Sequence, residues 1–425
     1  MRILQTVFQL VDYGGIVNYT ELLTQGLQAH GHDVDVVLLH NSPHLMRTRA
    51  AQTTVVGAYK SSLANATFAH AAYGWYGIPV YHYGSPAARK EWRKFAAQYD
   101  VVIHQIPVPA CDPDGNWLRV YDIKPPQLLV SHDAHFPRRY PHMLHIADKV
   151  IGIAAVNPAS YASLAGFSVK RALIGSPHKL RKWSLQLPWH QRPLRFGSAH
   201  VWKKWKHMDT VLRTLRHCER LDVDNWIAGD GIEGRYMRSP TKCPERYAGL
   251  WRSATRHGMN YAGMVAPREI AEQYEQCRVM VDLSYSPQFS AEFGNHVNRS
   301  VLEAYNAGCV PLVVRENMTE PKSKPHFFEE GRTHLAVSKD ATPKQIALAI
   351  RAACDMRLPD ARAMVAEGRT LLKRFWSVEA TATFYLEFIY GHRRVGMYRQ
   401  TERGHPSRAL RAAAMAATGR EASGE

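Results

Sequence analysis

The sequence predicts an α/β chain of two successive Rossmann-like halves, on the strength of three stretches. Residues 3–10 read as a strand, Tyr13-Gly14-Gly15-Ile16 as a glycine turn, 17–30 as a helix and, past Gly31, 34–39 as a second strand. Leu22, Leu23 and Leu27 give that helix its buried face, as a βαβ unit requires. The pattern restarts in mid-chain with a strand at 194–198, a basic aromatic loop (Val201-Trp202-Lys203-Lys204-Trp205-Lys206-His207) and a helix at 208–218. It then reaches a strand at 279–283, a Ser/Pro/Gly loop, a helix with Val297, Val301, Leu302 and Tyr305 on one face, and an apolar strand at 309–314. Gly308 stands where a helix C-terminus favours a left-handed residue.

Bulk properties set the frame. A chain of 425 residues with 45% hydrophobic content can build two domains with cores of their own. The six cysteines form no Cys-x-x-Cys pair and have no matching histidine spacing, which speaks against zinc or a disulfide framework and for a reducing, cytoplasmic setting. The opening apolar segment is too short and polar for a signal sequence, and no apolar run reaches 18 residues. A net charge of +17 draws a polyanion: nucleic acid, anionic lipid or acidic glycan. Charge alone does not choose among them.

Taken in order, Gly14 and Gly15 lie where a strand hands over to a helix N-terminus, a place where backbone N–H groups meet a diphosphate. A plain turn has the same pattern. Residues 73–83, with Tyr73, Trp75 and Tyr76, are followed by Arg89, Lys90, Arg93 and Lys94 on a helix. Such rings and cations serve either as an irregular surface cover or as an acceptor platform that stacks bases and holds phosphates. Strands at 100–106 and 127–131 follow, the second ending in His132-Asp133-Ala134-His135, with Arg138 and Arg139 just beyond. Ligands of open α/β sheets sit at the carboxyl ends of strands, so His132 and Asp133 are candidates for chemistry. His132 and His135 at i and i+3 make no zinc set by themselves. Residues 177–188 read as a linker. Lys206, just before a helix, is placed to neutralise a leaving diphosphate, although a solvated charge run looks the same. Two Asp-Val-Asp triplets, at 33–35 and 222–224, fall at helix-to-strand junctions and are discounted as metal sites. From 343 to about 398 the chain reads as helical, and from 400 as a frayed basic tail.

The stretch SAEFGNHVNRSVLEAYNAGCVPLVVR (290–315) resembles the nucleotide-sugar site of family 4 retaining glycosyltransferases of GT-B fold, and GGIVNYTELLTQGLQAHGHDVDVV resembles the first βαβ unit of the same family. The resemblance implies two Rossmann-like domains facing across a cleft. These are an acceptor domain at 1–185 and a nucleotide-sugar domain at 186–375, with a helix at 376–399 crossing back to the first domain and a basic flexible tail at 400–425. It implies that Glu303 binds the donor ribose, that Gly15 and Lys206 meet the diphosphate, and that Gly263 and Met264 lie by the base. Ser198 stands at the family's arginine position and His207 at its glycine, so Lys203, Lys204 or Arg195 would supply the missing cation. Asn295 replaces the family's first glutamate. Glu292 is the nearest acid, and Gly294 keeps the Phe-Gly pair.

The segment LLVSHDAHF further resembles the strand-end element of T-even phage DNA α-glucosyltransferases. That implies His132 orienting the sugar, Asp133 receiving the acceptor proton, retention, and no cofactor beyond a UDP-sugar donor. The expected acceptor is a hydroxymethylated base in double-stranded DNA, flipped out of the duplex and gripped by Tyr73, Trp75, Tyr76, Arg89, Lys90, Arg93, Lys94, His135, Arg138 and Arg139. A peripheral-membrane or envelope glycosyltransferase and a decayed DNA-binding scaffold stand beside it.

Overall fold

The computed structural model describes residues 1–7, 15–39, 73–75, 78–82, 86–106, 120–132, 150–155, 170–181, 188–200, 204–229, 245–263, 265, 267–285, 299–318 and 328–391. The chain divides into two compact units, Met1–Lys179 with Phe375–Glu425, and Leu180–Arg374.

The first unit runs β1 (Arg2–Val7), α1 (Gly15–Ala29), β2 (Asp33–Leu38), β3 (Tyr73–Trp75), β4 (Ile78–His82), α2 (Pro86–Ala96), β5 (Val101–Ile106), β6 (Gln127–Ser131), β7 (Val150–Ala155) and β8 (Arg171–Leu173). Among the described residues these strands form one sheet in the order β3-β4-β2-β1-β5-β6-β7-β8, parallel except where β3 meets β4. Strand β1 lies between β2 and β5, so the order reverses at its carboxyl end, the place where such sheets leave a crevice. Ile3, Val34, Ile103, Leu128 and Val130 pack beneath Tyr19, Leu23 and Leu27 of α1 in one core. The aromatic stretch from Tyr73 is not irregular: β3 and β4 are paired strands, and β4 extends the sheet beside β2. Alternation of Ile78 and Val80 with other residues carried that signal, masked by the density of rings around it.

The second unit runs β9 (Arg195–Ala199), a 3-10 turn (Lys204–Lys206), α3 (Met208–Glu219), β10 (Asp224–Ala228), α4 (Glu245–Arg256), β11 (Tyr261–Gly263), α5 (Pro267–Tyr274), β12 (Val279–Asp282), α6 (Arg299–Ala307), β13 (Val310–Val314), α7 (Arg315–Met318), β14 (Leu335–Val337), α8 (Pro343–Cys354) and α9 (Leu358–Phe375). Its sheet is parallel throughout, in the order β11-β10-β9-β12-β13-β14, with the reversal at β9. Pro311 sits inside β13 without breaking it. The Val310 N–H goes to the Arg278 carbonyl on the β12 side, so the proline nitrogen faces β14, whose ladder begins only at Leu312.

The helical stretch expected after residue 343 is three helices among the described residues. Asp355 caps α8, Leu358-Pro359 opens α9, and Ser377 caps α10 (Val378–Ile389) by accepting a hydrogen bond from the Ala380 N–H. Helix α10 lies against α1. A Cβ on Gly26 would stand 2.9 Å from Ala382 Cβ and from Val378, and one on Gly152 would stand 2.6 Å from the Phe388 ring. The Tyr19 and Tyr385 hydroxyls meet at 2.6 Å in the buried seam. Gly26→Val is therefore expected to overpack this seam and cost about 1–3 kcal/mol, read as a lowered urea midpoint. An unchanged midpoint would mean that the helices do not approach so closely.

Candidate active site

In the second unit, polar groups gather at the carboxyl end of β9 and β12, beside the reversal of strand order. Asp282, the last residue of β12, is 2% exposed. Its Oδ1 accepts the Ser284 N–H at 2.9 Å and its Oδ2 accepts the Ser300 hydroxyl at 2.7 Å. His200, directly after β9, brings Nε2 to 3.5 Å from Oδ1. Burial alone would push this carboxyl up, but the positive fields of His200 and Lys206 and the hydrogen bonds from Ser284 and Ser300 outweigh it and hold Asp282 below the usual carboxylate range. Burial pushes the His200 imidazole down to about 4. At neutral pH the pair is thus a carboxylate beside a neutral ring.

Lys206 ends the 3-10 turn with its ammonium 4.1 Å from the centre of the Trp205 ring. The turn is pinned to the end of β12 twice: the Tyr285 N–H donates to the Trp205 carbonyl at 2.9 Å, and His207 Nε2 donates to the Tyr285 carbonyl at 3.1 Å. The backbone of His207 is left-handed, φ 49°, which is what a glycine at this position would supply without strain.

Helix α6 carries Glu303, 9% exposed, whose Oε1 accepts from Arg299 Nε at 2.9 Å. Burial raises its pKa and Arg299 offsets part of the rise. The helix closes in a Schellman turn at Gly308, φ 75°, with Cys309 N–H to Ala304 O and Gly308 N–H to Tyr305 O. The buried Arg192 guanidinium then takes the carbonyls of Ala307, Gly308 and Cys277 at 2.8–2.9 Å. A cation here also complements the negative end of the helix dipole.

In the first unit, His132 follows β6 directly, at the carboxyl end of the sheet. Its Nε2 meets Gln105 Oε1 at 2.8 Å, and its ring stands edge-on to Tyr19, 4.8 Å between centres and 86° between planes. Burial pushes its pKa down to about 3.

The structure places the remaining candidates as follows. Gly15 is the first residue of α1, Gly263 ends β11 with φ 70°, and Ser198 lies inside β9, its hydroxyl given to the Val281 carbonyl at 2.9 Å. Arg195 opens β9, at the opposite end of the strand from Lys206, and bonds Asp224 at 2.6 Å, while Lys204 lies in the 3-10 turn with Lys206. Arg89, Lys90, Arg93 and Lys94 all lie on α2; Lys90, Arg93 and Lys94 are exposed, and Arg93 pairs with Asp122. Tyr73 and Trp75 are in β3. Tyr76, Asp133, His135, Arg138, Arg139, Lys203, Met264, Glu292, Gly294 and Asn295 lie outside the described residues. Sequence reasoning missed Asp282 and His200. The signal was present, since an aspartate inside the apolar run Val279-Met280-Val281-Asp282-Leu283 is rare without a partner.

Sequence comparison finds no matching family model and no matching curated protein. Solved structures do match in fold. Phage T4 α-glucosyltransferase, bound to UDP and a DNA 13-mer, superposes with a TM-score of 0.66 at 11% identity, covering 92% of this chain and 100% of that one. Anabaena HepE, with UDP and glucose, gives 0.61 at 13% identity over 92% and 99%, and a glycosyltransferase from Rickettsia africae gives 0.62 at 14% over 92% and 97%. The chain has the α/β fold of GT-B glycosyltransferases. Among the described residues no helix is long and apolar enough to cross a membrane.

Three histidines withdrawn from water, wholly or in part, shape the acid response. His200, His104 and His132 stay neutral in the fold down to about 4, 4 and 3, whereas the same rings in the unfolded chain take a proton near 6.5. The unfolded state binds more protons in that window, so stability falls as pH drops, by up to about 1.4 kcal/mol per pH unit for each ring. Asp282 adds its loss only below the ordinary carboxylate pKa, because its folded value is depressed. Urea titrations from pH 7.5 to 4 should show this decline; a flat profile between 6.5 and 4 would contradict the buried neutral rings.

Proposed function

We propose that this chain is a glycosyltransferase that takes a sugar from a UDP-sugar and passes it, with retention, to a hydroxymethylated base in DNA. The observation that carries the reading is the convergence of Lys206 and, through Ser300, of the helix that carries Glu303 on buried Asp282 at the strand-order reversal of the second sheet, on the positions where the sequence resembles a nucleotide-sugar site. The fold likeness to proteins solved with UDP supports the donor, and the DNA-bound α-glucosyltransferase among them supports the acceptor.

The chemistry needs placement and charge more than covalent help. The bond from the anomeric carbon to the diphosphate oxygen breaks, and a bond from the acceptor hydroxyl oxygen forms on the same face. Lys206 takes up the charge that develops on the departing diphosphate. Backbone N–H groups in the first turn of a helix such as α1, which begins at Gly15, suit a phosphate. Glu303 accepts from the ribose hydroxyls, and Arg299 offsets part of the cost of burying that carboxylate. His132 orients the sugar. Asp133 receives the acceptor proton. The exposed cations of α2 hold the phosphate backbone, in keeping with the net charge of +17.

The test incubates the protein with UDP-, GDP- and ADP-sugars and with unmodified DNA, hydroxymethylated DNA or anionic vesicles, and scores products by mass. A sugar mass on the modified nucleoside is expected, abolished in Glu303→Ala and Lys206→Ala while DNA binding persists. Changing Arg89, Lys90, Arg93 and Lys94 together to alanine should flatten the salt dependence of DNA binding by about 3 to 4 in log–log slope. Full turnover in both single variants would sink the site assignment, and transfer to none of the DNAs would move the acceptor to a glycan or small molecule.

A further inference from the structure

Two polar chains thread the first sheet on opposite faces, since Gln5 and Thr6 are neighbours on β1, and His104 and Gln105 neighbours on β5. The direction of each chain follows from which groups can donate. On one face Gln127 Nε2 donates to the Tyr121 carbonyl at 3.0 Å, and a carbonyl only accepts. The amide oxygen of Gln127 therefore faces His104 Nε2 at 3.0 Å, so that nitrogen carries the proton, and His104 Nδ1 accepts from the Thr6 hydroxyl at 2.7 Å.

On the other face Thr24 gives its only proton to the Thr20 carbonyl at 2.8 Å. Gln5 Nε2 must then donate to Thr24 Oγ1, at 2.6 Å. Gln5 Oε1 is left to accept from Gln105 Nε2, at 2.9 Å. That turns Gln105 Oε1 toward His132 Nε2, at 2.8 Å, and an oxygen there demands a proton on the ring nitrogen. Each step is forced by the one before it.

We propose that Thr24, Gln5 and Gln105 are positioning residues that hold His132 as the Nε2–H tautomer, leaving Nδ1 as a hydrogen-bond acceptor for a hydroxyl of the donor sugar. The proposal rests on the reading of His132 as the group that orients the sugar. Thr6 on His104 shows the same arrangement completed inside the protein: a hydroxyl donates to Nδ1 of a ring whose Nε2–H is spent on a glutamine. Edge-on packing of Tyr19, itself held by Tyr385, fixes the plane in which the His132 lone pair lies. Burial keeps the ring neutral. A ring so held receives a hydroxyl proton and has none left to give to a phosphate oxygen, so it discriminates sugar hydroxyls from the diphosphate beside them.

The experiment is nitrogen NMR of the full chain labelled with 15N-histidine, with His132→Gln used to assign the ring. A pyrrole-type signal at Nε2 and a pyridine-type signal at Nδ1 are expected at pH 7, without ligand. Gln105→Leu and Thr24→Val should lose this single-tautomer pattern and give averaged signals, while Gln105→Glu, which can only accept, should keep the proton on Nε2. A proton on Nδ1 in the unmutated chain, a charged ring at pH 7, or an unchanged pattern in both Gln105→Leu and Thr24→Val would overturn the proposal. The NMR result is independent of sugar transfer. The expected tautomer with no transfer to any acceptor would leave the relay standing and remove the glycosyl reading, and the reverse would remove the relay alone.

Discussion

A carboxylate kept charged in a nearly dry interior is the constraint on which the second unit depends. Removing such a group from water costs several kcal/mol, and only a full set of partners offsets it. Asp282 has that set: the Ser284 N–H, the Ser300 hydroxyl, the neighbouring His200 ring and the positive field of Lys206, drawn from the ends of β9 and β12, the 3-10 turn and helix α6. Satisfying one buried charge therefore fixes four pieces of chain at the carboxyl end of the sheet. Helix α6 is tied to Asp282 through Ser300 and clamped at its far end by Arg192, so the intervening Glu303 has little freedom to move. A carboxylate proposed to receive ribose hydroxyls benefits from being held in place before the ligand arrives.

The first unit solves a related problem without charge. Its sheet core contains Gln5, Thr6, Thr24, His104, Gln105 and Gln127, all buried, where apolar residues would be the usual choice. Partly satisfied, such a set would be costly; closed into directed chains that end on backbone carbonyls, it specifies one arrangement of side chains. Helix α10 joins this arrangement through Tyr385 and Tyr19, which makes the packing of a C-terminal helix part of how the His132 ring is held.

The fold was legible because its signals are periodic. Leu22, Leu23 and Leu27 on α1, the apolar runs of β12 and β13, and Gly308 at its left-handed turn all state their structure locally. Glu303 was legible for a different reason: a carboxylate in an apolar helix asks for a partner, although the sequence did not say that the partner would be Arg299, one turn earlier. What could not be read were pairings across distant segments. Asp282 with His200 and Ser300, or Arg192 with the end of α6, join positions 18 to 116 residues apart, and no local pattern links them. The strands β3 and β4 were obscured because aromatic density suits a ligand platform and a strand equally well.

The central claim is that one end of the second sheet is preformed for a nucleoside diphosphate, with Glu303 on the ribose and Lys206 on the phosphates. Calorimetric titration of uridine and of UDP into the unmutated chain, Glu303→Gln and Lys206→Ala tests it most directly. The account predicts that Glu303→Gln weakens both ligands, whereas Lys206→Ala weakens UDP by about tenfold or more and leaves uridine unchanged. Equal loss of both ligands in Lys206→Ala, or undiminished UDP binding in Glu303→Gln, would contradict it.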